Sequence, residues 1–511
     1  MGSQPSKPSH QLSQHEKAVI DCVTELRIDE DYIEVATEKP GRETVQLHPR
    51  SPGGVDPITS NEFIRQVLND PKNRLALTAL STANPRQVLM SSPVAQVDQQ
   101  IFSHGIPFEG NPITSQGASG RCWLFAATNV FRIAFMQKYG LESFELSQSY
   151  LFFWDKFEKT NWFLEQIIAT SQEDIGSRLV QQLLTDLIGD GGQMSMVQGL
   201  VAKYGLVPKT IYPDNWNATN SAILNSILKT KLRQNALTLR RLLRGELAAD
   251  PTPAAVEGFK AAMLQEALTI MTLLLGPPPS STESFSWDYL DKSGKSHKLS
   301  ISPKDFARDT CGSDIRVSLE TLDGMISLVH DPRHKPMSLL TVDRLGNIVG
   351  GRKVEYVNVD MDTLKTSCVR MIKAGMPVFF GCDVGQFSDK DLGVMDTELF
   401  DYQVGFNTNL LGMDKAERLM TGESRMTHAM VLTAVHIGEA TGQPVRWRVQ
   451  NSWGPTAGDK GWFVMTDAWM DEFVYQAVID PRLCPRAVRD VLKQEPVTLP
   501  LWDPMGSLAM A

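Results

Sequence analysis

The sequence predicts an α+β fold in which a mostly helical first half is followed by a strand-rich second half, with a cleft between them. Three observations carry this expectation. From about residue 120 to residue 275 apolar residues recur at helical spacing. Beyond about residue 285 short β-type runs alternate with turns. The chain is also long enough, at 511 residues, to bury a large core and divide into two or more substructures.

Composition narrows the function classes. The chain is 42% hydrophobic and 21% charged with a net charge of −9, which is ordinary for a globular protein and makes no global case for nucleic-acid binding. Six cysteines (Cys22, Cys122, Cys311, Cys368, Cys382, Cys484) are scattered without a CxxC pair. That pattern argues against a zinc knuckle or a disulfide framework and for a reducing compartment, and no metal or cofactor is expected. The longest apolar run, Leu268 to Leu275, is too short to span a bilayer, and no signal peptide is visible. Met1-Gly2-Ser3-Gln4-Pro5-Ser6 fits the pattern for N-myristoylation of Gly2, against the competing reading of a disordered start rich in Ser, Pro and Gln. One acyl chain would attach the protein to a membrane only marginally and reversibly.

Taken in order, a helix is expected near His15 to Leu26, then an irregular stretch around Pro40 to Pro57. Asn61 to Val67 reads as helix with Ser60 as N-cap, and Leu75 to Pro112 as extended loop. A helix starts directly behind Cys122. The aromatic-rich Phe144 to Asp155 reads as core. Asp190-Gly-Gly-Gln193 forms a turn opening a helix from Met194 to Tyr204, stopped by Gly205. Asn220 to Leu247 is helical, with Leu228, Leu232, Leu239, Leu242 and Leu243 on one face. Its Lys229, Lys231, Arg233, Arg240, Arg241 and Arg244 read first as a solvated basic face. A further helix runs from Pro253 to Leu275 and ends at Gly276-Pro-Pro-Pro279. Strands are expected at 285–287, 315–319, 354–359, 377–381, 429–436, 445–449, 462–465 and 475–479.

The chemistry concentrates in Gln116-Gly-Ala-Ser-Gly-Arg-Cys122-Trp123. A Cys in the first turn of a helix faces unpaired backbone N–H groups, which favour thiolate, and Arg121 would add to that field. A lone Cys is as readily a buried core residue, so partners must decide. A nucleophilic Cys needs a base, a group to orient the base, and oxyanion donors. Of nine histidines, His428 differs in sitting at the mouth of an apolar strand, where a side chain is rigidly presented to a cleft. Asn451, in Asn451-Ser-Trp453-Gly, would accept from that ring and fix its orientation, with the Trp453 indole shielding the bond. Gln116 lies 122 − 116 = 6 residues before Cys122, a spacing that folds its amide back over the thiol.

Gln-x5-Cys-Trp, a strand-borne His and Asn-Ser-Trp-Gly together resemble the papain-like cysteine peptidases, and the bleomycin hydrolase branch most closely. The blocks 119–129, 145–155, 190–193 and 419–430 and the tail 501–506 carry that resemblance, which covers about residue 60 to the C-terminus. It implies a papain-like fold of two halves with Cys122 as nucleophile, His428 as base and acid, Asn451 as orienter, Gln116 as oxyanion donor, and Trp123 and Trp453 in support. Two departures from secreted papain-like enzymes are informative. Ser119 stands where those enzymes carry a disulfide Cys, which fits a reducing cytosol. The Cys-to-His gap of 428 − 122 = 306 residues is also about twice the usual spacing.

The organisation so implied is an N-terminal arm (1–59), a helical half with the nucleophile (60–219), and a helical insertion serving oligomerisation (220–284). A β-rich half with His and Asn (285–490) and a C-terminal tail in the cleft (491–511) complete it. The family pattern further implies a homohexamer and an aminopeptidase whose tail, Ala509-Met510-Ala511, meets the substrate's free α-amino group. The chain runs two residues beyond the family's usual ending after Ala509, which leaves the working terminus open and allows self-trimming. Expected substrates are peptides and amides such as bleomycin, and homocysteine thiolactone by the same acyl-thioester route. The alternatives are a nucleic-acid-binding ring, resting on the 229–244 basic patch, and a Cys-dependent acyltransferase.

Overall fold

The computed structural model describes residues 54–97, 100–247, 251–311 and 318–510, with the strand residues 28–29 and 32–33. Gly2, the helix expected near His15 to Leu26 and Ala511 lie outside the described residues. The chain forms two compact units, Met1–Asn84 and Pro85–Ala511.

In the first unit Ile28–Asp29 and Tyr32–Ile33 pair antiparallel, and helices Pro57–Asn69 and Pro71–Leu80 pack on each other. Both helices begin with an Asp cap followed by Pro. Asp56 accepts from the Ile58 N–H and Asp70 from the Lys72 N–H. Proline at the first helical position costs nothing, because its missing N–H would be unpaired there anyway. The helix expected at Asn61 to Val67 is present but longer, and its cap is Asp56 instead of Ser60. The loop expected over Leu75 to Pro112 is corrected, since Pro85–Val88 and Ser92–Val97, in the second unit, are helical too.

The helical part of the second unit comprises α1 (Cys122–Tyr139), α2 (Gln148–Ala169), α3 (Met194–Tyr204), α4 (Ala222–Leu243) and α5 (Pro253–Leu275). Residues 122–136 of α1 are all buried, so this helix is core on every side rather than amphipathic. Helix α2 starts at Ser147, whose hydroxyl accepts from the Tyr150 N–H, and buries Tyr150, Phe152 and Phe153. Helix α4 buries Leu224, Leu228, Leu232, Leu239 and Leu242 along one stripe and packs on α2 and α5. The 23-residue α5 is long and apolar enough to cross a membrane by length and composition. Here it packs on α2 and α4, and it buries Met263, Ala267, Met271 and Leu275.

The strand-rich part forms a hairpin of Phe285–Leu290 with Ser296–Ile301, which contains the strand expected at 285–287, and one large mixed sheet. Its main strands are β1 (Ile326–Val329), β2 (Ser338–Val342), β3 (Glu355–Asn358), β4 (Val378–Cys382), β5 (His428–Ile437), β6 (Pro444–Gln450), β7 (Trp462–Thr466), β8 (Val474–Ile479) and β9 (Val497–Leu499). They run in the order β7-β6-β5-β4-β8-β1-β3-β2-β9, with the short pair 388–389 and 394–395 beyond β7. β5 is interior: it pairs antiparallel with both β4 and β6, and its first eight residues are buried. That continuous apolar run is what a strand covered on both faces requires. Helix α1 and helix α6 (Met361–Lys373) both pack on β5. The strand expected at Ile315 to Leu319 falls largely outside the described residues, and Leu319 opens a short helix capped by Ser318.

Helix α3 stops where expected, at Gly205, whose φ of +80° is open to glycine. A Cβ there would also overlap the Pro303 carbonyl, with which the Leu206 N–H makes a 3.0 Å bond. Gly205→Ala therefore combines backbone strain with overpacking, and we expect it to lower unfolding free energy by about 3 kcal/mol in urea denaturation.

Candidate active site

Cys122 occupies the first position of α1 and is 2% exposed. Its sulfur receives backbone N–H groups from Ala429, Trp123 and Cys122 itself. Ala429 follows His428, so the start of α1 and the mouth of β5 meet at this sulfur. Burial outweighs these donors and pushes the thiol up to about 11, and the nearby Asp190 carboxylate adds to the rise. Arg121 does not supply the expected activating field. Its guanidinium is fully buried and bound to Asp214 at 2.7 Å, to the Ser119 and Ser149 hydroxyls and to the Gln116 carbonyl. A charge so fully paired rigidifies the loop instead of polarising the thiol.

The His428 ring nitrogen Nε2 lies 2.9 Å from Asn451 Oδ1. That oxygen also accepts the Ser452 N–H at 2.8 Å, which fixes it as the amide's acceptor. Nε2 is therefore the protonated nitrogen, and Nδ1 keeps the lone pair a general base needs. The Trp453 ring lies tilted against the imidazole, with ring centroids 4.9 Å apart. Burial lowers the imidazole pKa to about 4, against a smaller raising effect from Asn451. Thiol and imidazole are thus each poor at carrying a lone charge here.

Gln116 is 7% exposed and locked at both ends of its amide. Nε2 donates to the Ser119 carbonyl at 2.6 Å, and Oε1 accepts from the Ser452 hydroxyl at 2.7 Å. The Gln116 N–H also donates to the Ser452 carbonyl at 2.9 Å, and the Gly454 N–H to the Thr114 carbonyl at 3.0 Å. Segments 114–116 and 452–454 therefore form a short backbone stitch across the cleft, joining the oxyanion loop to the strand end that bears Asn451. Nε2 keeps one N–H for a substrate oxygen. Ser452 was invisible as a partner in the sequence, where it stood only as a spacer in Asn-Ser-Trp-Gly.

Behind the nucleophile loop lies a buried charge network that the sequence reading missed. The Asp190 carboxylate accepts from the Gly120 N–H at 3.1 Å, Asn225 Nδ2 at 2.8 Å, the Ser221 hydroxyl and the Lys156 ammonium at 2.6 Å. Its carbonyl accepts from the Trp123 indole at 2.6 Å. Lys156 also donates to the Ile188 carbonyl, and Lys159 to the Gly189 and Gly191 carbonyls and to Asp155. The visible signal was two lysines three apart inside an apolar, aromatic helix. Gly192 completes the contact, because a Cβ there would sit 2.5 Å from the Trp123 ring.

The tail runs back into this region. Ala509 is buried, and Met510 lines a cavity of about 310 Å³ together with Ser119, Gly120, Asp190, Asn225 and Lys229. Four of the six basic side chains between residues 229 and 244 are bound within the chain. Lys231 pairs with Glu266, Arg233 donates to the Leu184 carbonyl, and Arg240 and Arg244 donate to carbonyls of residues 170–173. Among the described residues no cluster of His, Cys, Asp and Glu is arranged to hold a metal ion, and five cysteines are free thiols.

Comparison with known proteins agrees with this geometry. The Peptidase C1-like family matches residues 55–506. Bleomycin hydrolase of Mus musculus is 41% identical over 462 residues, covering 89% of this chain and 99% of that protein. The Homo sapiens bleomycin hydrolase is 41% identical over 88% and 97%. Saccharomyces cerevisiae "Cysteine proteinase 1, mitochondrial" is 40% identical over 90% and 94%. The crystal structure of PepW from Lactobacillus rhamnosis HN001 superposes with a TM-score of 0.83 at 38% identity, covering 89% of this chain and 99% of that one. The expected papain-like α+β fold is therefore the fold of this protein. With a relative more than two-fifths identical along nearly its whole length, the chain belongs to the peptidase C1-like family and is a cysteine peptidase of the papain-like type, akin to the bleomycin hydrolases.

Proposed function

We propose that this cysteine peptidase is a cytosolic aminopeptidase that removes N-terminal residues from peptides and hydrolyses the bleomycin amide. The observation that carries the mechanism is the His428–Asn451 bond of 2.9 Å beside a sulfur that receives the Ala429 N–H. His428 takes the Cys122 proton at Nδ1 as the sulfur attacks the scissile carbonyl carbon. The oxyanion is held by Gln116 Nε2 and the Cys122 N–H, and the imidazolium returns its proton to the leaving amine. Water, deprotonated by His428, then hydrolyses the acyl thioester. A thiolactone enters the same acyl-enzyme and is a proposed further substrate. Transfer of the acyl group to an added amine is the competing outcome at the second step.

The tail residues Ala509, Met510 and Ala511 act as a stop that admits only a substrate's first residue beyond the nucleophile. The support is the position of Met510 beside Ser119 and Gly120. Free thiols and Ser119 in place of a disulfide Cys favour the cytosol. Exposed Ile223, Ile227 and Leu237 on α4 and Phe259 and Leu273 on α5 support assembly of copies through the insertion, as a homohexamer. Nucleic-acid binding is the weaker reading, because most of the α4 basic groups already have partners. Membrane attachment would require acylation of Gly2.

Cys122→Ala should lower kcat/KM on aminoacyl amides by about 10⁴-fold or more with unchanged circular dichroism. Equal activity would overturn the thiol mechanism. Because the base must be neutral, kcat/KM should fall as pH drops through a value well below the ordinary 6.5 and toward about 4. The same shift has a stability sign. Between 6.5 and about 4 the unfolded chain binds a proton that folded His428 refuses, so stability also falls across that window. An acid limb centred at 6.5 or above would contradict a buried, neutral His428. Deleting residues 507–511 should weaken aminopeptidase activity and allow cleavage of amino-blocked peptides, read by mass spectrometry. A truncated protein that still rejects blocked peptides would remove the tail from the specificity machinery.

A further inference from the structure

The tail is anchored unevenly. Its base is part of the sheet, with β9 pairing parallel to β2 and Leu499 opposite Val342. The Trp502 ring then lies under the Arg178 guanidinium at 4.1 Å. Asp503 follows, with its side chain 9% exposed and making two kinds of bond. Oδ1 accepts the Met505 N–H at 2.9 Å, opening the single turn Pro504–Ala509, and it also accepts Arg333 Nη2 at 2.8 Å. Arg333 is itself held as a fork by the fully buried Asp331, Nε to Oδ1 at 3.0 Å and Nη2 to Oδ2 at 2.8 Å. Past Asp503 the ties become single neutral bonds. Tyr356 donates to the Met505 carbonyl at 3.2 Å, and the Ser507 hydroxyl to the Met426 carbonyl at 2.7 Å, two residues before His428. Beyond Ser507 the side-chain tie is a weak one, Gln182 Nε2 to Met510 Sδ at 3.8 Å.

We propose that Arg333 and Asp503 form a latch that sets how far the tail reaches toward Cys122, and so decides whether the enzyme accepts only substrates with a free N-terminus. This rests on the gating reading of the tail given above. Neither residue touches the reacting atoms, so both are positioning residues. The pair suits the task because it is largely removed from solvent screening, and because one carboxylate fixes both the direction of the turn and its distance from the β1–β2 connection. Arg supplies what Lys cannot, a planar fork that bonds Asp331 and Asp503 at once. Without the ionic tie, the turn would keep the two neutral bonds at Met505 and Ser507 and the packing of Met505 and Leu508 in the core, neither of which fixes its charge-bearing base.

The test uses the full-length chain, the Asp503→Asn variant, and the chain lacking residues 507–511. Asn is isosteric and keeps the acceptor for the Met505 N–H while removing the charge. For each protein kcat/KM is measured on an aminoacyl amide with a free amine and on the same compound acetylated. Loss of stability lowers both values alike, so the ratio of acetylated to free reports tail position. We expect Asp503→Asn to raise that ratio by about tenfold and the deletion to raise it at least as far. A raised ratio in the deletion with an unchanged ratio in Asp503→Asn overturns the latch alone. Ratios alike in all three proteins overturn the gating reading beneath it. Should Asp503→Asn not fold, Arg333→Lys carries the same comparison, with a shift in the same direction expected and an unchanged ratio counting against the latch.

Discussion

The pair between Lys156 and Asp190 is the interaction on which the active-site half depends. Both groups are buried, and a lone charge at either place would cost several kcal/mol. What makes the arrangement tolerable is that both charges have several polar partners. Lys156 divides itself between a carboxylate and the Ile188 carbonyl, while Asp190 collects bonds from the nucleophile loop, from α4 and from α2. Paired with Lys156 and hydrogen-bonded on all sides, the Asp190 carboxyl is held below its ordinary range, so it stays charged despite burial. Three chain segments distant in sequence are thereby fixed around Gly120, two residues before the nucleophile. An apolar core would fill the same space with less risk, but it would not dictate one position for a backbone N–H. The network's value lies in specifying geometry more than in adding stability.

A second stitch fixes the other wall. The ladder between 114–116 and 452–454 and the Ser452–Gln116 bond mean that the oxyanion donor and the His-orienting Asn are adjacent parts of one hydrogen-bonded unit. The base is held from its other side as well. Asp383 accepts from Ser424, from the Arg425 N–H and from Thr427, bracing the turn that leads into His428. The residues proposed as nucleophile, base and oxyanion donor are thus each presented by backbone that is bonded to a neighbouring wall. This is how a site whose chemistry needs alignment on the order of 0.5 Å can be assembled from loops.

Much of this was legible before any coordinates. Helices Met194–Tyr204 and Pro253–Leu275 were readable because glycine and proline mark their ends, and β5 because a buried interior strand is mostly apolar. Cys122, His428, Asn451 and Gln116 were readable because their local surroundings, a glycine-rich loop, a strand mouth and a strand end, leave marks in sequence. Other features left misleading marks. Asp56-Pro57 and Asp70-Pro71 look like loop punctuation, yet they start helices, since a cap and a turn use the same residues. Arg121 looked like an activator because sequence shows a charge and hides its partner, Asp214, 93 residues away. β1 and β2 were missed because short strands carrying Ser and Thr have too little periodicity to register.

The depression of the His428 pKa and the elevation of the Cys122 pKa belong to one argument about how such a site works. In water a thiol and an imidazole exchange a proton at little cost, and both forms are well solvated. In this cleft burial disfavours the charged form of each group. Under the proposed mechanism burial performs two tasks at once. It raises the energy of the isolated thiolate, which makes it a stronger nucleophile when formed, and it keeps His428 neutral and able to accept a proton. The local field cannot come from Arg121, which is spent elsewhere, so it comes from fixed dipoles: the N–H groups at the head of α1 and that of Ala429. These dipoles are oriented before substrate arrives and require no reorganisation as charge develops. That is why the rigidity imposed by Asp190 on one wall and by the Gln116–Ser452 stitch on the other is part of the chemistry and not only of the fold.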